Sequence, residues 1–199
     1  MTSIRHKPVS DSSPEDGYLD AARDTILAVG WRRTTLTDVA KRAGVSRMTI
    51  YRRWSDMQAI LADLLVREWE GLLVVALLPQ GADPDRARIV EGALTSVRAL
   101  RENPLLRKIV DVDPELLLPY LLQRRGRNQD QVLTLLSTAL AAAQTAGTVR
   151  AGDPHHLARA LLLALQGPLL SVGTMTDDST TVEDLDRELT LLIDRYLQP

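Results

Sequence analysis

The sequence predicts an all-α protein: a small N-terminal helix-turn-helix domain followed by a larger helical body, about nine helices in all. Three observations carry this. Leu and Ala dominate the apolar residues, Phe is absent and alternating Val/Ile/Thr runs are few, so strand signals are missing. Helix starts and stops are marked repeatedly along the chain. Two very short helices stand between long ones, joined by Ala43-Gly44-Val45-Ser46.

The elements follow in order. Ser13-Pro14 opens a helix over 14–29 that Gly30 ends, because a proline at the first helical position loses no hydrogen bond. A capping box at Thr35-x-x-Asp38 starts a helix over 36–43, and Ser46 caps another over 47–53. Ser55-x-x-Gln58 is expected to box the start of 56–78, and Asp83-Pro84 the start of 84–102. Asn103-Pro104 separates a short helix at 105–110, and Asp113-Pro114 begins 114–146, with a break near Gly126. Asp153-Pro154 opens 154–172, where Pro168 predicts a kink or early end. Thr181-x-x-Asp184 opens the last helix, 182–197. The expected domains are a flexible arm at 1–13, a helix-turn-helix domain at 14–62 and a larger body at 63–199.

Composition narrows the class. The chain has 199 residues, 45% hydrophobic and 25% charged, enough to bury a core unaided. Without cysteine there is no disulfide framework, thiolate metal site or cysteine nucleophile. The polar start lacks a signal-peptide core and no stretch reaches the uninterrupted apolar length of a span, which together imply a cytoplasmic address and no membrane partner. His155 and His156 are neighbours that cannot share a helix face, and no third ligand stands at metal spacing, so neither a metal nor a cofactor is expected.

Charge is unevenly placed. Between Trp31 and Ser55 stand Arg32, Arg33, Lys41, Arg42, Arg47, Arg52 and Arg53 against a single acid, Asp38. The net charge of the chain is −2, so the remainder is strongly acidic. A basic island on an acidic body is the footprint of a localised nucleic-acid contact, although a solvated helix face gives the same composition.

The island coincides with the short helices. Leu36, Val39, Ala40 and Ala43 form one apolar face. Gly44 supplies a left-handed turn, Val45 plugs the crossing and Ile50 points inward. This is a helix-turn-helix, whose second helix presents its first turns to the major groove. Arg47 can donate twice to a guanine edge, while Thr49 and Met48 suit a thymine methyl. Tyr51, Arg52 and Arg53 suit phosphates, as do Ser46 and the Thr35 and Thr37 groups at the preceding helix start. Base readout is expected of Arg47, with Thr37 and Thr49 in reserve. An αα-hairpin inside a bundle, with Gly44 as a plain cap, is the alternative. It would bury Arg47, Arg52 and Arg53, and Asp38 is the single acid within the island to pair with them.

The stretch Gly30-Trp31-Arg32-Arg33-Thr34-Thr35-Leu36-Thr37-Asp38-Val39-Ala40, with Ala43 to Ser46, Thr49-Ile50-Tyr51 and Trp54-Ser55, resembles the N-terminal region of TetR-family (TetR/AcrR) transcriptional regulators. The resemblance covers about residues 16–65. It implies a homodimeric repressor that binds a palindromic operator through its first three helices and is released by a small-molecule effector held in the body. Two positions depart from the family pattern: Trp54 stands where Phe is common, and Met57 where a phosphate-holding Lys is common.

In the body, the helix from Pro154 is apolar nearly all round, which a solvent-facing helix cannot sustain. With the final helix it is expected to form a four-helix interface between two copies, through Leu161, Leu165, Leu185, Leu189, Leu192 and Tyr196. An internal core pair is the alternative. Trp69, Tyr120, Gln123 and Gln166 are polar-tipped groups on apolar segments that could orient an apolar or amphipathic effector. Two other classes compete. An all-helical enzyme lacks support from any phosphate loop, His pair or nucleophile–base spacing, so no catalytic residue is expected. A helical carrier or scaffold that never touches DNA would have no use for the basic island.

Overall fold

A computed structural model describes residues 13–77 and 85–199, with the backbone alone at 70–77. Ten α-helices form among these residues: α1 (Pro14–Val29), α2 (Leu36–Arg42), α3 (Arg47–Arg53), α4 (Met57–Leu77), α5 (Arg86–Glu102), α6 (Pro104–Val112), α7 (Leu118–Leu122), α8 (Arg127–Thr145), α9 (Pro154–Ser171) and α10 (Val182–Leu197). Two 3₁₀ turns, Pro114–Leu116 and Val172–Thr174, connect them. The described residues contain no strand, only an isolated bridge between Asp177 and Thr180.

Most of the local signals act where they stand. Ser13 and Asp16, Thr35 and Asp38, and Thr181 and Asp184 form reciprocal capping boxes. Each such cap stabilises its helix by about 1 kcal/mol. Asp153 caps α9 by accepting from the His155 N–H at 2.8 Å. Two caps differ from expectation. At α4 the acceptor is Asp56, whose Oδ1 takes the Ala59 N–H at 2.8 Å, while Ser55 donates to Asp56 instead of capping. A carboxylate one residue closer to the first turn is the stronger partner for that turn's positive end. Asp113 begins the 3₁₀ turn without a side-chain cap and is buried. Residues 1–12 of the expected arm and the cap at Asp83-Pro84 lie outside the described residues; α5 is capped by Asp85, which accepts from the Arg88 N–H.

The chain divides into two compact units, one up to Leu64 and the other from Leu65. In the first, α1 packs on α2 and α2 on α3. Its core comprises Ala22, Ile26, Leu36, Val39, Ala40, Ile50, Trp54, Ile60 and Leu64, each at most 3% exposed. The α2–α3 turn passes through Gly44 at φ 68°, a left-handed conformation that only glycine adopts at no cost.

In the second unit α5, α8, α9 and α10 close on one core, built from Ile89, Val97, Leu136, Leu140, Ala158, Ile193, Leu197 and their neighbours. Leu161 and Leu165, expected between two copies, belong to this core at 2% and 9% exposure. An all-apolar helix must bury one side in its own body before a second side can meet anything else. The uncovered side of α9 and α10 carries Leu163, Leu191 and Leu192, with Met175 on the connector. Tyr196 is 37% exposed and lies under the Arg150 guanidinium at 4.5 Å.

Pro168 does not end α9, which runs on to Ser171 before the 3₁₀ turn. The ring removes one backbone donor within the last four residues of the helix, so little helix lies beyond the lost bond before the 3₁₀ turn begins at Val172. The segment Pro154–Thr174 is long and apolar enough to cross a membrane by composition. Its Leu157, Ala158, Leu161 and Leu165 are nonetheless spent on the core just described.

An ion cluster joins α5 to α10. Asp186, 4% exposed, accepts from Arg98 Nε at 2.8 Å and from Arg101 Nη2 at 2.5 Å. Burial pushes the Asp186 carboxyl up, but the hydrogen bonds and charges of the two arginines outweigh it and hold the group below its ordinary value.

Candidate nucleic-acid interface

The second helix of the motif is anchored from below and open above. Ile50 is fully buried, whereas Arg47, Met48, Tyr51 and Arg52 on the other side are exposed, Met48 to 73%. Ser46 caps α3 by accepting from the Thr49 N–H at 3.2 Å, and its hydroxyl lies 2.9 Å from that of Thr49. The first turn of the helix is thereby fixed, and Thr49 keeps a half-buried methyl-bearing side chain. Arg47 lies over the Tyr51 ring at 5.8 Å, so the two expected DNA contacts share one packed arrangement.

Thr35, expected to offer a backbone N–H and a hydroxyl to a phosphate, spends both on Asp38. Its N–H donates to Asp38 Oδ2 at 3.0 Å and its hydroxyl to the same oxygen at 2.6 Å. These bonds, the hydroxyl first, hold the Asp38 carboxyl below its ordinary value. Thr37, the second residue of α2, is half-buried.

The basic island is partly structural. Arg33 Nε donates to the Val29 carbonyl at 2.8 Å, closing the end of α1. Arg42 pairs with Asp24 at 3.2 Å. Arg53, expected on a phosphate, makes a side-on fork with Glu15, Nε to Oε1 at 2.7 Å and Nη2 to Oε2 at 3.2 Å. It also lies 3.9 Å from Asp63 and over the Trp54 ring at 5.4 Å from its centroid. Lys41, Arg47 and Arg52 remain exposed, with no ion pair to any described residue.

Two residues of this arrangement, Glu15 and Asp63, are not marked by any motif in the sequence, and Trp54 is marked there only as a departure from the family pattern. Trp54, 2% exposed, donates its indole N–H to Asp63 Oδ2 at 2.7 Å and meets Tyr18 edge to face at 6.3 Å. Glu15 and Asp63 are distant along the chain from the arginine they hold. One local clue exists: a tryptophan where phenylalanine would serve brings a buried N–H that requires an acceptor.

The residues expected around an effector are dispersed. Trp69 is half-buried against the core of the second unit, and its indole nitrogen is buried with no acceptor among the described residues. Tyr120 packs beside Gly126 under the Arg124 guanidinium, Gln123 is exposed and Gln166 is half-buried. None of the four lines the groove between α9 and α10, which is bounded by Gly167, Pro168, Met175, Leu185, Leu189 and Leu192 among others. Among the described residues no group of three acids or histidines is placed to hold a metal ion.

Residues 19–64 match the family described as bacterial regulatory proteins, tetR family. The HTH-type transcriptional regulator Rv2250c of Mycobacterium tuberculosis H37Rv is 34% identical over 179 residues, covering 90% of this chain and 92% of that one. The HTH-type transcriptional regulator AlkX of the same organism is 29% identical over 202 residues, covering 98% and 94%. The fold is also that of the TetR-family repressor AlkX from Dietzia sp., described as implicated in biodegradation of n-alkanes, at a TM-score of 0.66 and 22% identity over 94% of this chain and 97% of that one. With a buried hydrophobic spine beneath an exposed basic recognition helix, and with these relatives along nearly its whole length, the chain belongs to the TetR family of DNA-binding helix-turn-helix transcriptional regulators.

Proposed function

We propose that the protein is a homodimeric repressor that binds a palindromic operator and leaves it when a small apolar or amphipathic effector occupies the body. The observation that carries this reading is the exposed face of α3. Arg47, Met48, Tyr51 and Arg52 stand free of the core on a helix whose other side is locked by Ile50 and the Ser46 cap. Arg47, Thr49 and Met48 are assigned to base edges, and Tyr51 and Arg52 to phosphates; Thr37 and the Ser46 end of the helix complete the contact.

Dimerisation rests on the uncovered apolar side of α9 and α10. Leu163, Met175, Leu191 and Leu192 are each more than half exposed there, beside a groove that reaches Leu185 and Leu189. A second copy related by a two-fold axis covers them and sets two α3 helices one helical repeat apart on DNA. Release by an effector is a property of the family, and the Leu-rich body together with the n-alkane association of the Dietzia repressor supports an apolar ligand. A cytoplasmic location follows from the same reading.

The test is selection of sheared genomic DNA by the purified protein at ~0.15 M salt, near physiological screening. Enrichment of a short inverted repeat is the expected result. A protein of normal helicity that enriches nothing, after extraction of bound ligand with organic solvent and refolding, would overturn the operator-binding reading.

A further inference from the structure

We propose that Arg53, the last residue of the recognition helix, is a positioning residue that fixes α3 in place and does not contact a DNA phosphate. The proposal rests on α3 being the DNA-facing helix. Arg53 ends the helix, and its guanidinium turns back across the domain to Glu15 in the first turn of α1, with both hydrogen bonds of a planar fork at 2.7 and 3.2 Å. The same guanidinium lies over the Trp54 ring, 5.4 Å from its centroid, and 3.9 Å from Asp63, which accepts the Trp54 N–H.

Two consequences follow. The end of α3 is tied to α1 through Glu15, and to the start of α4 through Asp63. Rotation of α3 about its axis, which would swing Arg47 and Tyr51 off a groove, must break the fork or pull the indole from its acceptor. The local electrostatics also oppose a phosphate: one cation stands between two carboxylates, so an approaching anion meets Glu15 and Asp63 as well as Arg53. Arg52, one residue earlier, has no such partners among the described residues and is exposed. Adjacent arginines thus divide the work, Arg52 neutralising the backbone and Arg53 orienting the helix.

Salt dependence separates the two roles, because removing one phosphate-binding cation lowers the slope of log affinity against log salt by ~0.9. The probe is the duplex that the wild-type protein enriches from genomic DNA, titrated from low to physiological salt with Arg53→Met, Arg53→Lys and Arg52→Met in the full-length protein. Arg53→Met is expected to lose affinity about fivefold, the scale of a well-made surface ion pair, with a slope parallel to wild type. Arg53→Lys is expected to lose nearly as much at unchanged helicity, because a lysine keeps the charge but not the planar fork. A slope reduced by ~0.9 in Arg53→Met, or wild-type affinity in Arg53→Lys, would overturn the proposal, since a lysine serves a phosphate well. Arg52→Met is expected to reduce the slope. If it does not, while the duplex still binds, the assignment of the α3 face fails, and the role given to Arg53 fails with it.

Discussion

The indole N–H of Trp54 donates to Asp63 Oδ2 at 2.7 Å, joining the residue that closes the recognition helix to the second turn of the next helix. A phenylalanine would fill the same space without this bond. Trp54→Phe is therefore expected to keep the fold but lower the unfolding free energy by about 1–2 kcal/mol, as a part-buried charged acceptor loses its donor. Denaturant unfolding measures it.

Gly44 stands at φ 68° with nothing within 4 Å of where a Cβ would lie. Space is available and conformation is not. Gly44→Ala is expected to cost about 1–2 kcal/mol from the left-handed backbone alone, and Gly44→Asn less, since asparagine tolerates that region. Thermal unfolding of the two variants checks the order, and equal losses would point to a steric cause.

Arg47 and Tyr51 lie on the exposed side of α3, over Ile50. Arg47→Ala is expected to weaken binding of the selected duplex by about 1–3 kcal/mol and to relax preference at one base pair. Tyr51→Ala is expected to weaken it across sequences. Circular dichroism of both variants should match wild type; lost helicity in Arg47→Ala would contradict its exposed placement.

The pairing of Asp186 with Arg98 and Arg101 makes stability depend on acid. Its carboxyl is held below the ordinary value of 3.8, so the folded state binds the proton less readily than the unfolded one. The contribution is complete above that value and is lost as pH falls through the lower, folded one. Asp186→Asn should destabilise the protein at neutral pH by about 3 kcal/mol, because it leaves Arg101, 13% exposed, without its carboxylate. The variant should also lose part of the steepness of acid unfolding below about pH 4, compared by denaturation at several pH values.

Two leucines on adjoining helices test the two sides of the body. Leu161→Ala is expected to lower stability by about 2–4 kcal/mol, since Leu161 is 2% exposed. Leu192→Asp, at a residue 60% exposed, is expected to leave the monomer's unfolding unchanged and abolish the dimer in sedimentation. A Leu192→Asp protein that remains dimeric would place the interface elsewhere.

The helical class, the approximate ends of most helices and the recognition motif were all legible along the chain. These depend on interactions three or four residues apart: Thr35 with Asp38, Thr181 with Asp184, Ser46 with Thr49, and the left-handed turn at Gly44. A cap or a turn is satisfied within its own segment, so its residues can be read where they stand. Folding chose which side of an apolar helix faces inward and which charges are spent. Leu161 and Leu163 stand two residues apart on the same apolar helix, yet the packing of α9 against α5 and α8 makes the first core and leaves the second uncovered. Arg52 and Arg53 are likewise indistinguishable as neighbours. Their roles part because folding carries Glu15, 38 residues away, to one of them, and Asp186 reaches Arg98 across 88 residues in the same way. Side-chain pairing over such separations is fixed by which helices pack together, and no local periodicity encodes that.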